Sequence, residues 1–269
     1  VGAGEQSGHL GLVLERLADD LQEQQNLRGK LLAAGLYPAI VCLVALVIVL
    51  FLLAYVVPQV AQVFGSNQQQ LPVLTSVMLA VSGFVQNFWL WGLVLVAALC
   101  VGGHVALKQA DVRLRFDAAW LQLPLMGRLA RGYNAARFAS TLAMLATAGV
   151  PILKALQAAA DTLSNTALKR DAQDALVLVR EGAPLASALS QHPRFPRLLV
   201  MFSRLGEQTG TLPTMLQRAA TQLSEEVQRR ALQLATILEP LLIVAMGAMV
   251  MLIVLAVMLP IIQLNQWVR

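Results

Sequence analysis

The chain has 269 residues, of which 57% are hydrophobic and only 13% charged, too apolar a balance for an ordinary soluble protein. Two cysteines and three scattered histidines exclude a disulfide-stapled scaffold and supply no Cys, His or carboxylate set at metal-ligand spacing. A net charge of +5 with few aromatics among the basic residues speaks against nucleic acid as a partner, and leaves anionic membrane lipid or an acidic protein surface.

Residues 1–35 read as the end of a cytoplasmic helical domain, opening on the pentapeptide "GEQSG" with Gly4, Glu5 and Gly8. From 31 to 107 there is no Asp, Glu, Lys or Arg, and from 240 to 268 there is again none. Three apolar runs lie in these stretches, each with the roughly 20 residues that cross a hydrocarbon core of about 30 Å. The first covers 36–60, and the second 88–107 with an amphipathic lead-in from 77. The loop between them, 61–76, is neutral, whereas Arg16, Arg28 and Lys30 precede the first run and Lys108, Arg113, Arg115 and Arg128 follow the second. Both flanks are therefore expected in the cytoplasm and the loop outside. Cys42 and Cys100 fall inside these runs, as small packing residues.

Residues 108–238 have soluble character and a helical period, so a second cytoplasmic domain is expected there. Leu129, Tyr133, Ala136, Phe138, Leu142 and Leu145 share a face, and Gly149 and Pro151 stop that helix and start the next. Further helices are expected at about 151–162, 165–180, 184–191, 196–205 and from 212 onward, with short connections that make an antiparallel six-helix bundle. In "GEQTG", Gly206 is expected to end a helix in the left-handed conformation, with Thr209 or Thr211 capping the next before Pro213. No Gly or Pro interrupts 214–238, about 25 residues or roughly 37 Å of helix. The third span, within 239–264, then carries a short tail, 265–269, to the periplasm.

"GEQTG" at 206–210 repeats "GEQSG" at 4–8, and the match continues without a gap at a constant shift of 202 residues. Leu10, Arg16, Leu21, Glu23 and Arg28 fall on Leu212, Arg218, Leu223, Glu225 and Arg230, while Pro38 and Pro58 fall on Pro240 and Pro260. Roughly a third of about 55 positions are identical, which signals a duplicated unit. The unit is a cytoplasmic helical bundle whose last helix leads into a span. Only three residues precede the first corner, so most of the first copy is expected to lie outside this chain, an N-terminal truncation of that module.

No phosphate-binding loop, nucleophile elbow or metal motif occurs, so no enzyme and no cofactor are expected. A transporter or permease component is the alternative of another class, but the only ionisable groups at the spans are His104 near an end and Glu239 at a boundary, just before Pro240. Glu239 reads either as a headgroup-level carboxylate or as an inter-helix contact. Glu5 and Glu207 read either as ligands to a cation such as Ca²⁺ or to a basic partner side chain, or as acceptors for backbone donors at the start of the following helix. One carboxylate is too few for a metal cage. Arg229 and Arg230 are candidates to dock an acidic partner.

The segments "GEQSGHLGLVLERLADDLQEQQNLRGKLLAAGLYPAI", "LPVLTSVMLAVSGF", "FASTLAMLATAGVPILKAL", "GEQTGTLPTML" and "LEPLLIVAMGAMVMLIVLAVMLPIIQLNQ" closely resemble the inner-membrane platform family of bacterial type II secretion, general secretion pathway protein F. The resemblance covers the whole chain. The ending "LPIIQLNQ" is more similar to the secretion branch than to the related type IV pilus platform protein. It implies an all-α, multi-pass protein of the bacterial inner membrane, without enzymatic activity, seated beneath a growing pseudopilus. The implied partners are a cytoplasmic secretion ATPase, other inner-membrane secretion components, pseudopilins and further copies of the protein.

The charge pattern makes a direct prediction. A reporter fused after Gln69 is expected in the periplasm and one fused after Lys154 in the cytoplasm. The reverse result at either site contradicts the orientation.

Overall fold

The computed structural model describes residues 10–59 and 73–267. The first-copy corner with Gly4, Glu5 and Gly8 lies outside these residues, as does most of the neutral loop. The described elements are α1 (Leu10–Phe51), which passes into a π turn at Leu52–Val56, then α2 (Val73–Ala106), α3 (Ala110–Trp120), α4 (Met126–Thr147) and α5 (Ile152–Asp161). They continue with α6 (Thr166–Arg180), α7 (Leu185–Ser190), α8 (Arg197–Thr209) and α9 (Leu212–Trp267). No strand occurs among the described residues. The chain is all-α, as its periodicity predicts.

Two compact units result. The first combines α1 up to Ala33 with Val105–Gln233, and the second combines Ala34–His104 with the chain from Leu234 onward.

In the first unit, left-handed Gly149 (φ +76°) and Gly182 (φ +97°) follow α4 and α6, where any side chain is strained. Pro151, Pro184 and Pro196 stand immediately before α5, α7 and α8, where a missing N–H costs nothing. Asn165 opens α6 by accepting hydrogen bonds from the Ala167 and Leu168 amides, both at 3.1 Å. The core is built mainly from Ala and Leu, with Phe138 of α4 tilted against Phe195 at 5.4 Å between ring centres. Small side chains let these short helices approach closely. At the exposed α5–α6 corner, the Lys169 ammonium 2.9 Å from Asp161, helped by the Gln157 amide, holds the Asp161 carboxyl below its usual range.

The helix α3 is an addition to the elements expected from sequence. Asp111, Val112, Arg113, Leu114, Arg115, Phe116 and Asp117 alternate charge with apolarity and hide the helical stripe. α3 packs Leu114 and Ala118 on the core, and Asp117 Oδ2 accepts from the Thr166 amide and hydroxyl, both at 2.7 Å, at the start of α6.

The duplicated corner corrects a sequence expectation. α8 does not end at Gly206 but runs on to Thr209, and Gly210 is the left-handed residue (φ +68°). Gly206 is helical and buried because a Cβ there would stand 2.7 Å from Leu212 Cα and 3.1 Å from Met215 Cβ. Its role is close approach between α8 and α9. Neither threonine hydroxyl caps α9: Thr209 Oγ1 donates to the Leu205 carbonyl at 2.8 Å, and the Thr209 and Thr211 hydroxyls meet at 2.6 Å.

The second unit holds the apolar halves of α1 and α9 with α2. Two helices are long and apolar enough to cross a membrane, Gly35–Gln59 and Leu212–Leu259, whose most apolar 18-residue stretches have mean hydropathies of 3.4 and 3.0. A third passes only when Val94–Ala106 is taken together with the helix that follows it. Leu53, Val57 and Ile253 form a small core with Val49, Leu52, Met78 and Leu79. The outward faces are apolar too, with Leu43 63% and Val244 71% exposed, the mark of a surface made for lipid.

The two glycines of the corner separate by substitution. In thermal melts of the chain in detergent, Gly206→Ala is expected to cost about 1–3 kcal/mol by overpacking. Gly210→Ala is expected to cost about 1–2 kcal/mol by left-handed strain. Asparagine tolerates the left-handed region, so Gly210→Asn is expected to be mild and Gly206→Asn severe. Equal tolerance of asparagine at the two positions contradicts these roles.

Candidate functional site

The polar chemistry of the second unit begins with two prolines. In an α-helix each N–H bonds the carbonyl four residues back, so Pro58 leaves the Ala54 carbonyl without a donor and Pro260 does the same to Ala256. Before Pro58 the helix slips into π register, with the Val57 amide donating to the Leu52 carbonyl. That slip strands the Leu53 carbonyl as well, because its five-back donor would be Pro58. Three carbonyls thus need partners in apolar surroundings, where an unsatisfied group is costly.

All three are met by α2. Gln86 Nε2 donates to the Ala54 carbonyl at 2.6 Å, Ser82 Oγ to Leu53 at 2.5 Å, and Thr75 Oγ1 to Ala256 at 2.7 Å. Thr75, Ser82 and Gln86 lie 7 and 11 residues apart, close to whole helical turns, and so occupy one face of α2. Thr75 and Ser82 are 4% and 1% exposed. Thr75 is the threonine of the "LPVLT" segment. These residues were not singled out from sequence, although three polar side chains at helical spacing in an uncharged stretch, together with prolines aligned by the 202-residue shift, carry the signal.

Two further aligned positions meet directly. Tyr37 Oη donates to Glu239 Oε1 at 3.0 Å, and the shift of 202 superposes these residues. Of the two readings of Glu239, the inter-helix contact is the one observed. Pro240 beside it is exposed. Cys42 and Cys100 are both exposed free thiols.

In the first unit Glu207 binds backbone donors, but at a different helix start from the one expected. Its carboxylate accepts from the Leu185 amide at 2.5 Å and the Ala186 amide at 3.2 Å, capping α7 some twenty residues upstream rather than the α9 that follows. A carboxylate at a helix N-terminus also opposes the positive end of the macrodipole. Both oxygens are used, which makes Glu207 a helix cap. Arg230 donates to Glu226 one turn back on α9, at 2.5 Å, whereas Arg229 is exposed and makes no ion pair among the described residues.

One histidine departs from the sequence expectation. His192, Asp171 and Asp174 bring potential ligand atoms within 4.8 Å of one another. The Arg194 guanidinium already donates to Asp171 Oδ1 at 2.7 Å, so the buried carboxylate has its cation.

Apolar-faced helices stitched by hydroxyls and an amide, joined in one chain to a helical unit of soluble character, define an integral membrane protein of the bundled-helix class. Comparison with known proteins assigns the family. The chain belongs to the family "Type II secretion system (T2SS), protein F", whose profile matches residues 1–58 and 138–260, and it is therefore an inner-membrane protein. It is 42% identical over 271 residues to the type II secretion system protein F of Pseudomonas aeruginosa, covering all of this chain and 66% of that one. It is 39% identical to the protein of the same name from Aeromonas hydrophila, over all of this chain and 69% of the relative. It is 37% identical to the type IV pilus assembly protein PilC of Thermus thermophilus, over 97% of this chain and 64% of the relative. The chain thus spans about two thirds of the length of these relatives.

Substitution of Thr75 tests the stitching. Thr75→Val keeps the shape and removes the donor, and is expected to lower unfolding stability in detergent by about 1 kcal/mol, while Thr75→Ser, which keeps the hydroxyl, is expected to cost less. A valine variant as stable as the serine variant contradicts the role given to the hydroxyl.

Proposed function

We propose that this chain is a non-enzymatic platform of the type II protein secretion machinery that couples a cytoplasmic secretion ATPase to pseudopilus assembly. In this reading it crosses the inner membrane three times, N-terminus in the cytoplasm and C-terminus in the periplasm. Its N-terminal and C-terminal parts descend from a duplicated module, a helical bundle followed by a span, and its partners include pseudopilins, other inner-membrane secretion components, lipid and copies of itself. The names of the relatives and the neutral loop between basic flanks support this. So does the lack of any catalytic motif in the sequence.

The observation that carries the coupling idea is α9. One helix, Leu212–Trp267, contributes Leu216, Ala219 and Leu223 to the core of the first unit and Ile253 and Ala256 to the buried positions of the second. A helix shared by two cores passes on displacement, because neither core deforms continuously. The same mechanics serves pilus assembly, and the PilC relative supports that second reading.

The division between the units falls at Gln233 and Leu234. A Gly-Gly-Ser-Gly insertion after Gln233 leaves both cores intact and makes the connection flexible. It is expected to preserve membrane insertion and complex assembly and to abolish secretion. Normal secretion at normal protein levels contradicts the coupling role and leaves a passive scaffold.

A further inference from the structure

A cleft of about 500 Å³ opens in the first unit where the start of α4, the segment leading into α8 and the middle of α9 come together. Five arginines line it: Arg128 and Arg131 from α4, Arg194 and Arg197 at the approach to α8, and Arg230 from α9. Glu226 is the single carboxylate among its described lining residues. The walls are brought together by Gly132, where a Cβ would stand 2.7 Å from Val227 Cγ2 on α9.

The five guanidinium groups are unequally neutralised. Arg230 is paired with Glu226 and Arg194 with Asp171. Arg131 donates through Nε to the Gly127 carbonyl of its own helix at 3.3 Å, which leaves its charge uncompensated. Arg128 and Arg197 are exposed and form no ion pair among the described residues. Three uncompensated cations around one concave site repel one another, and folding alone gains nothing from gathering them. An anion in the cleft removes the penalty.

The lining chemistry sets the class of anion. Every cation is arginine, whose planar fork holds oxyanions through paired hydrogen bonds. The volume suits a small molecule. Carboxylates along an extended peptide are spaced by at least about 3.3 Å per residue and carry one charge each, too dilute for so compact a cluster. No aromatic or amide side chain is among the described lining residues to stack on a base or read its edge.

We propose that this arginine cleft binds a compact chain of linked phosphates, such as an inorganic polyphosphate or the phosphate chain of a nucleoside di- or triphosphate. The proposal is independent of the platform reading above, since it rests only on the geometry of the first unit.

The test is calorimetric titration of the full chain in zwitterionic detergent at low salt, with inorganic tripolyphosphate, magnesium-free ATP, orthophosphate and a hexaglutamate peptide. Tripolyphosphate and ATP are expected to bind alike and at least tenfold more tightly than orthophosphate. A double variant, Arg128→Gln with Arg197→Gln, is expected to weaken tripolyphosphate by about tenfold or more, in keeping with the loss of two charged hydrogen-bonding groups. Arg218→Gln, on α9 outside the cleft, is expected to change nothing. In the unsubstituted protein, tripolyphosphate is expected to shield Arg128 and Arg197 from phenylglyoxal, read by peptide mass, which frees the test from any folding effect of the variants. ATP binding with no response to tripolyphosphate assigns the affinity to the nucleoside and overturns the proposal. Absence of binding, unchanged affinity in the double variant, failure of shielding, or tighter binding of hexaglutamate overturns it as well, the last in favour of an acidic protein segment.

Discussion

A proline in a helix surrounded by apolar side chains creates a debt of one hydrogen bond, since the carbonyl four residues back has lost its donor and no water is at hand to replace it. Pro58 and Pro260 do this at aligned positions in the two apolar helices of the chain. The three polar side chains on one face of α2 supply the missing donors, with Thr75 reaching α9 and both Ser82 and Gln86 reaching the π turn after α1. Much of the second unit depends on this arrangement. Side chains that are apolar on all faces have little preference for one register over another in lipid, where the hydrophobic effect does not drive helix association. Directional bonds to fixed carbonyls specify which helix meets which, and at what height.

The first unit obeys the same accounting with donors in place of acceptors. Helix starts leave N–H groups exposed, and this unit covers them from distant positions in the chain: Asp117 of α3 at the start of α6, and Glu207 of α8 at the start of α7. Each such bond ties one helix to another while satisfying a backbone group. The bundle is therefore cross-linked by caps as well as by its alanine- and leucine-rich core. Gly206 adds the third element, a point of close approach between α8 and α9.

Much of this was legible in the sequence, for identifiable reasons. The apolar halves of α1 and α9 stand out because dozens of residues pass without a charge, and the ends of α4 and α6 because Gly149 and Gly182 are each followed closely by a proline. Other features rest on contacts that no local pattern reveals. Two glycines occur in "GEQTG", and which one is left-handed depends on whether α9 packs against Gly206, a tertiary fact. Glu207 reaches back past a whole helix to find its partners, and Asp117 finds Thr166 some fifty residues on. The helix α3 was hidden by charges at every second position. The arginine cleft gathers residues from three stretches of chain, and of these only the Arg229 and Arg230 pair on α9 stands out in the sequence. By contrast, the role of α2 was open to inference from aligned prolines and polar residues at whole-turn spacing.

The central claim is that α2 binds carbonyls which prolines have released, and a double-mutant cycle tests it most directly. Pro260→Ala restores the amide that would satisfy Ala256 from within α9, so the Thr75 hydroxyl should then be dispensable. Reversible unfolding of the single and double variants in detergent measures the coupling. Thr75→Val is predicted to be destabilising beside Pro260 and close to neutral beside Ala at that position, a coupling of about 1 kcal/mol. The same cost for Thr75→Val in both backgrounds would contradict the account.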